Sequence, residues 1–153
     1  MEILERKIPP VALFILFIMV MIRLDQVLLS FALALPFTNV VLVLAVILAG
    51  VIGIAGVYEF RKAKTTVNPV KVHTATSVVD SGVFAYTRNP MYLALLILLL
   101  GIGYWQQNLI CLFLPFGFVF YMNRFQIRPE ERALESLFGA EYLDYKQKVR
   151  RWI

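Results

Sequence analysis

The sequence predicts an all-α polytopic integral membrane protein: about four transmembrane helices followed by a C-terminal amphipathic helical segment on the cytoplasmic face. Three observations carry this reading. Of the 153 residues, 60% are hydrophobic, and the mean hydropathy is +0.75, well above a soluble domain of ordinary composition. The apolar residues fall in long blocks, and the net charge of +5 comes from basic residues clustered beside them. That pattern reads as membrane orientation, and no nucleic-acid partner is expected. The single cysteine, Cys111, excludes an internal disulfide and a cysteine-cluster metal site, and no metal is expected. Met1 to Lys7 mixes acids and bases with no small-residue cleavage site after the first apolar run, so a cleaved leader is not expected.

The first block, Pro9 to Ile22, is short for a straight span of about 20 residues. Arg23 and Asp25 interrupt it, and Val27 to Leu35 is apolar again. Either helix 1 ends near Arg23 with a shallow second piece, or one tilted helix continues. Pro36, Thr38 and Asn39 mark a turn and cap before helix 2, from about Val40 to Tyr58. Gly50, Gly53 and Gly56 repeat along helix 2 and offer a smooth stripe for another helix. From Glu59 to Arg88 the chain is polar, with Arg61, Lys62, Lys64 and Lys71 near the helix end.

Asn89-Pro90 then opens helix 3, with Asn as cap and Pro at the first helical position. The free N–H groups of such an end and the helix dipole together attract anions, with Arg88 and Tyr92 as neighbours. Helix 3 runs from Pro90 to about Trp105. Gln106-Gln107-Asn108 makes a tight turn, and helix 4 runs from about Leu109 to Met122, loosened by Pro115 and Gly117. Both look short for the bilayer.

After Asn123 the chain becomes basic, and Pro129-Glu130-Glu131 reads as the first turn of a new helix, with Gly139 as its stop. Tyr142, Tyr145 and Val149 form an apolar edge on a short interfacial helix. Trp152 reads as a headgroup anchor, and Tyr86, Tyr142 and Tyr145 as interfacial aromatics. The basic run of the tail reads as a membrane-surface face. His73 is a lone histidine and a weak metal or base candidate. The N-terminus, the Glu59–Arg88 loop and the tail hold nearly all Lys and Arg, and the Gln106–Asn108 turn holds none. The positive-inside rule therefore makes both termini and the loop cytoplasmic, which requires an even number of spans. Thr76–Tyr92 and Glu130 then share one side of the membrane, one helical hairpin apart.

The stretch Gly82-Val83-Phe84-Ala85-Tyr86-Thr87-Arg88-Asn89-Pro90-Met91-Tyr92, a hairpin, and then Glu130-Glu131 resembles the isoprenylcysteine carboxyl methyltransferase family, with phospholipid methyltransferases as wider relatives. Phe138 to Tyr145 looks like the family's closing segment, and Thr65-Thr66-Val67-Asn68-Pro69 like its small bacterial members. The resemblance covers about Thr65 to the end. It implies one membrane methyltransferase domain over 1–153: N-terminal transmembrane helices in 1–60, and in 61–153 a cofactor-binding core with the hairpin 90–123 and an amphipathic tail. It also implies S-adenosyl-L-methionine in a cytoplasmic-facing pocket, a lipophilic or lipid-like acceptor (carboxylate or amine) arriving from the bilayer, and location in a bacterial inner membrane.

The cofactor contacts that the resemblance implies are Thr76, Ser77, Val78, Val79, Phe84, Arg88, Asn89, Pro90, Met91, Tyr92 and Glu130. Alone, Glu130 reads as a first-turn acid on a helix dipole; with Arg88–Tyr92 one hairpin away it suits the cofactor's ammonium or ribose hydroxyls. Glu131 reads as a salt-bridge residue, and no catalytic acid or base is assigned. Asn89 stands where the eukaryotic enzymes have His. Gln126 stands where they have the Arg that contacts prenylcysteine, with Arg124 and Arg128 nearby. Gln126 and Arg124 are the expected substrate contacts, and the departure points away from prenylcysteine more than from the cofactor. Two other classes compete: a sterol-type membrane reductase using NADPH, and a non-enzymatic four-helix membrane protein.

Overall fold

The computed structural model describes Glu5, residues 7–64 and residues 76–153, all in helices and their connections. The expectations for Thr65 to Pro69, Lys71 and His73 lie outside these residues. In order, the helices are α1 (Pro10–Val27), α2 (Thr38–Lys62), α3 (Pro90–Trp105), α4 (Leu109–Tyr121), α5 (Arg128–Phe138) and α6 (Ala140–Lys148). Short 3-10 turns occupy Leu29–Phe31 and Gly82–Ala85, and a π-helical segment covers Met122–Ile127. Among the described residues, three stretches are long and apolar enough to cross a membrane: Pro10–Val27, Thr38–Lys62 and Leu109–Phe138. The 16-residue α3 is a shorter apolar helix.

Helix α1 continues past Arg23 and Asp25 to Val27, so these charges belong to its last turns. Beyond it the chain makes one short 3-10 turn and no second helical span. Leu33 N donates to the Gln107 carbonyl (2.6 Å), Leu35 N to Gln107 Oε1 (3.2 Å), and Asn108 Nδ2 to the Leu28 carbonyl (3.1 Å). The α1–α2 connection is thus laced to the α3–α4 turn. There Asn108, 1% exposed, also caps α4 by accepting from Ile110 N.

Helix α2 is longer at both ends than its hydropathy indicates. Thr38 and Asn39 are its first helical residues, not its caps; Phe37, with φ of 54°, precedes them without a side-chain cap. Asn39 instead accepts from Trp105 Nε1 at 3.0 Å. At the other end the helix carries Glu59 inward to 8% exposure.

α2 packs antiparallel on α3 through small residues. A Cβ on Gly56 would meet Pro90 at 3.1 Å, one on Gly53 would meet Ala94 at 3.7 Å, and one on Gly101 would collide with Ala45. Gly50 meets nothing within 4 Å. A three-residue step falls about 60° short of a full helical turn, so Gly50 and Gly56 face about 120° apart. The contact stripe is therefore Ala45, Ala49, Gly53 and Gly56, while Val43, Leu44, Ile47, Val51 and Ile54 point outward, as a lipid-facing surface does.

The expected break after Asn123 is absent. Leu109 to Phe138 is one 30-residue helical rod, running through Pro115 and Gly117 and passing through the π turn just before Pro129. Proline has no N–H to give the carbonyl four residues back. A local register change to i→i+5 bonding accommodates that loss without ending the helix.

Two apolar clusters result. One, inside α1, α3 and the rod, holds Leu13, Met21, Tyr92, Leu99, Cys111, Phe118, Met122 and Ile127. The Phe17 and Phe118 rings meet edge-on in it at 5.7 Å. The other joins Val79 and Phe84 to Tyr142, Tyr145 and Val149 of the α6 region. Tyr142 and Tyr145, 4% and 7% exposed, are core residues and not interfacial aromatics. Tyr86 alone of the three tyrosines is exposed, at 79%. Trp152 is half-buried against the first cluster, so it anchors the chain to itself.

Candidate functional site

The site-shaped region lies where the two clusters meet, around the first turn of α3. Pro90 starts that helix and Asn89 precedes it, but no side chain caps it. Asn89 Nδ2 donates to the Arg151 carbonyl (3.0 Å), and Asn89 N donates to Thr87 Oγ1 (3.2 Å). Asn89 therefore occupies the cap position without closing it, and the positive end of the helix keeps its attraction for an anion.

Tyr92, one turn in, reaches the rod. Its hydroxyl donates to Glu130 Oε1 at 2.7 Å, and Gln126 Nε2 makes a short hydrogen bond to the same oxygen. Gln126 and Glu130 are four residues apart, hence on one helix face. Thus Tyr92, Glu130 and Gln126, expected from opposite ends of the hairpin, form one hydrogen-bonded group.

Beside it lies a buried ionic cluster. Arg88 donates to Glu131 Oε1 (2.7 Å) and to the carbonyls of Lys146 (2.7 Å) and Val149 (2.6 Å). Arg151 grips the same carboxylate with two donors, at 2.9 and 2.5 Å. The Arg88 and Glu131 side chains are 8% and 6% exposed. Glu131 is a salt-bridge residue, as expected, and the guanidinium of Arg88 is largely committed to holding α3 against α5 and α6. Two cations on one carboxylate leave this cluster positive beside the start of α3. The hydrogen bonds to Glu131 push the Arg151 pKa up further. Burial raises the Tyr142 and Tyr145 hydroxyls well above the ordinary tyrosine value, so both stay neutral.

Four buried side-chain polar atoms have no partner among the described residues, Ser77 Oγ, Arg88 Nε, Gln106 Oε1 and Tyr121 Oη; the first two fall in the stretch that precedes α3. Of the other expected contacts, Val79 and Phe84 are buried. Val78 is half-buried, and Thr76 is exposed with its hydroxyl on the Lys64 carbonyl at 3.4 Å. Pro90 and Met91 lie against Gly56. Arg124 is drawn to Glu5 (3.3 Å) and stacks over Phe125, so it turns toward the N-terminal segment, not toward Glu130. A separate cleft of about 400 Å³ between Val78, Ala85 and α6 includes none of Arg88–Tyr92 or Glu130.

Sequence reasoning missed two holders of this region. Glu59 accepts from Ser81 Oγ at 2.5 Å, and Gly82 (φ of 58°) lies so close that an added Cβ would come within 2.6 Å of Glu59 Oε1. This pins the turn that carries Phe84. The other is Arg151, hidden in a basic run that reads as a surface. The only sequence signal for Glu59 was an acid at the end of an apolar helix, among basic residues.

A family model described as phospholipid methyltransferase matches residues 37–141. An uncharacterized protein of Haemophilus influenzae is 49% identical over 63 residues, 41% of this chain and 100% of that protein. The protein-S-isoprenylcysteine O-methyltransferase of Saccharomyces cerevisiae is 35% identical over 75 residues, 47% of this chain and 30% of that enzyme. Its Mus musculus counterpart is 36% identical over 73 residues, 48% of this chain and 26% of that enzyme. The matched region thus spans under a third of either isoprenylcysteine enzyme. No solved structure matches the chain significantly.

Proposed function

We propose that this chain, which belongs to the phospholipid methyltransferase family, is a membrane methyltransferase whose methyl donor is S-adenosylmethionine and whose acceptor is a lipophilic carboxylate or amine reaching the site from the bilayer. The observation that carries this reading is the junction of α3's uncapped start with Glu130 through the 2.7 Å Tyr92 hydrogen bond.

The residues present fit a zwitterionic amino-acid group. The α3 start and the positive Arg88–Arg151 cluster, with the unpartnered Arg88 Nε beside them, suit its carboxylate. Glu130, its carboxylate held by Tyr92 and Gln126, suits its ammonium. Ser77 Oγ offers a further buried hydroxyl. When bound, the cofactor supplies a sulfonium methyl for in-line transfer. That step needs little proton chemistry from the protein, so holding the reactants in line supplies much of the effect, on the order of 7–11 kcal/mol at best. For a carboxylate acceptor, a dry apolar surround helps further, because charge is partly neutralised in the transition state.

Binding to the purified protein tests the reading. S-adenosylhomocysteine, which keeps the carboxylate and ammonium, should bind at least about tenfold tighter than NADPH, a difference of about 1.4 kcal/mol. Preference for NADPH favours a reductase, and binding of neither favours a non-enzymatic protein.

The cytoplasmic orientation of both termini is also proposed, from the Lys/Arg asymmetry. Asn108 is buried, so exposed Ser30, on the segment laced to the same turn, is the better reporter of the opposite side. In a Cys111→Ala background an impermeant thiol reagent should label Ser30→Cys from outside, and Lys62→Cys and Lys148→Cys only after permeabilisation. Outside labelling at Lys148 would overturn the orientation.

A further inference from the structure

The segment after α6 does not trail into the interface. It folds back over the start of α3 and is sewn down along its length. The Arg150 carbonyl accepts from Arg88 N at 3.0 Å. The Arg151 carbonyl accepts from Thr87 Oγ1 (3.2 Å) and Asn89 Nδ2 (3.0 Å), while its guanidinium holds Glu131 with two bonds. Trp152 Nε1 donates to Asn123 Oδ1, in the π turn, at 3.2 Å. Three consecutive residues thus bond the loop before α3, the first turn of α5 and the π turn that carries Gln126.

These are the parts that must keep register for the site to exist. Glu130 and Gln126 lie on the rod, whereas Asn89 precedes α3 and Pro90–Tyr92 begin it. Besides the Tyr92 hydroxyl, polar ties between these parts run through Arg88, Glu131 and the strap. Thr87, which accepts from Asn89 N and donates to the strap, is 3% exposed. A bidentate Arg–carboxylate pair fixes orientation as well as distance, which a single contact does not.

We propose that Arg150–Trp152 is a strap holding α3's first turn in register with Gln126 and Glu130, with Arg151 and Trp152 as positioning residues for cofactor binding. The inference rests on the functional reading above. If the strap positions the site, its docking and ligand binding are coupled, and coupling between binding events is reciprocal.

The test uses the full chain in detergent micelles with Trp105→Phe, leaving Trp152 as the one tryptophan. Arg151→Ala should shift Trp152 emission to the red and weaken S-adenosylhomocysteine binding by about tenfold or more. Thr87→Val removes the strap bond to the Arg151 carbonyl, and with it the acceptor for Asn89 N, at nearly constant shape; it should move both readouts the same way by less, about threefold in affinity. It carries the test should Arg151→Ala fail to fold. Arg151→Lys, which keeps the charge but not the fork, should recover part of the loss. Reciprocally, S-adenosylhomocysteine should protect Trp152 of the Thr87→Val protein from acrylamide quenching, an effect that strap packing alone does not produce. A red shift with affinity within twofold of the parent, or no ligand effect on quenching, overturns the strap proposal alone. Absence of S-adenosylhomocysteine binding by the parent overturns the functional reading itself, and the strap's role with it.

Discussion

Glu130→Gln lowers the affinity for S-adenosylhomocysteine by roughly 10- to 100-fold and leaves thermal unfolding nearly unchanged. The expected size reflects the group removed. A hydrogen bond to a charged group is worth about 1.5–3 kcal/mol net, and the substitution takes away the charge on the acceptor side. The fold tolerates the change because the hydroxyl of Tyr92 and the amide of Gln126 both donate to one oxygen of Glu130, and a glutamine carbonyl accepts from the same donors. Titration calorimetry on the purified protein, beside its melting curve, makes the measurement. Should the melting temperature drop while affinity stays intact, Glu130 is a helix-dipole acid and its assignment to the cofactor fails.

Glu131→Ala has the opposite signature. Glu131 lies one position along the helix, about 100° around it, on the two arginines. Removing it leaves the Arg88 side chain, 8% exposed, with its carboxylate partner gone and its Nε still unpartnered. Breaking a buried pair from one side costs about 3–5 kcal/mol, and the carbonyls of Lys146 and Val149 that Arg88 also meets bring the expectation to the lower end. Unfolding monitored in micelles should show the loss directly. Replacing both partners by apolar residues, Arg88→Met with Glu131→Leu, should give a more stable protein than Glu131→Ala alone, since the buried Arg88 charge is then not stranded, while Arg151, 30% exposed, loses Glu131 in both variants and can be hydrated. A loss below about 1 kcal/mol for the single variant, or a double variant less stable than the single, would remove the ion pair from its structural role.

The four apolar helices, the tight Gln106–Asn108 turn, the stop at Gly139 and the start of α3 at Pro90 were legible in the chain itself. Hydrophobic block length, proline at a first helical position and glycine after a last one are local signals, and each acts within a few residues of where it is read. The pairing of Arg88–Tyr92 with Glu130 was legible too, through a motif resemblance and the counting of spans. Three features were not. The rod's continuity through Pro129 depends on a register change over Met122–Ile127 that no residue in that run announces. The helix face that meets α3 is Ala45, Ala49, Gly53 and Gly56, and an evenly spaced run of glycines points to a different one. The tail, amphipathic and basic, has the composition of a membrane-surface segment, yet Tyr142, Tyr145 and Arg151 are turned inward. The reason lies in partners 20 to 61 residues away. Glu131 binds Arg151, the Phe84 carbonyl accepts from Tyr145 at 2.8 Å, and Asn123 receives Trp152. A basic residue looks the same in sequence whether it meets a lipid phosphate or a buried carboxylate. Only tertiary packing, by bringing that carboxylate within hydrogen-bond distance, decided which of the two it is.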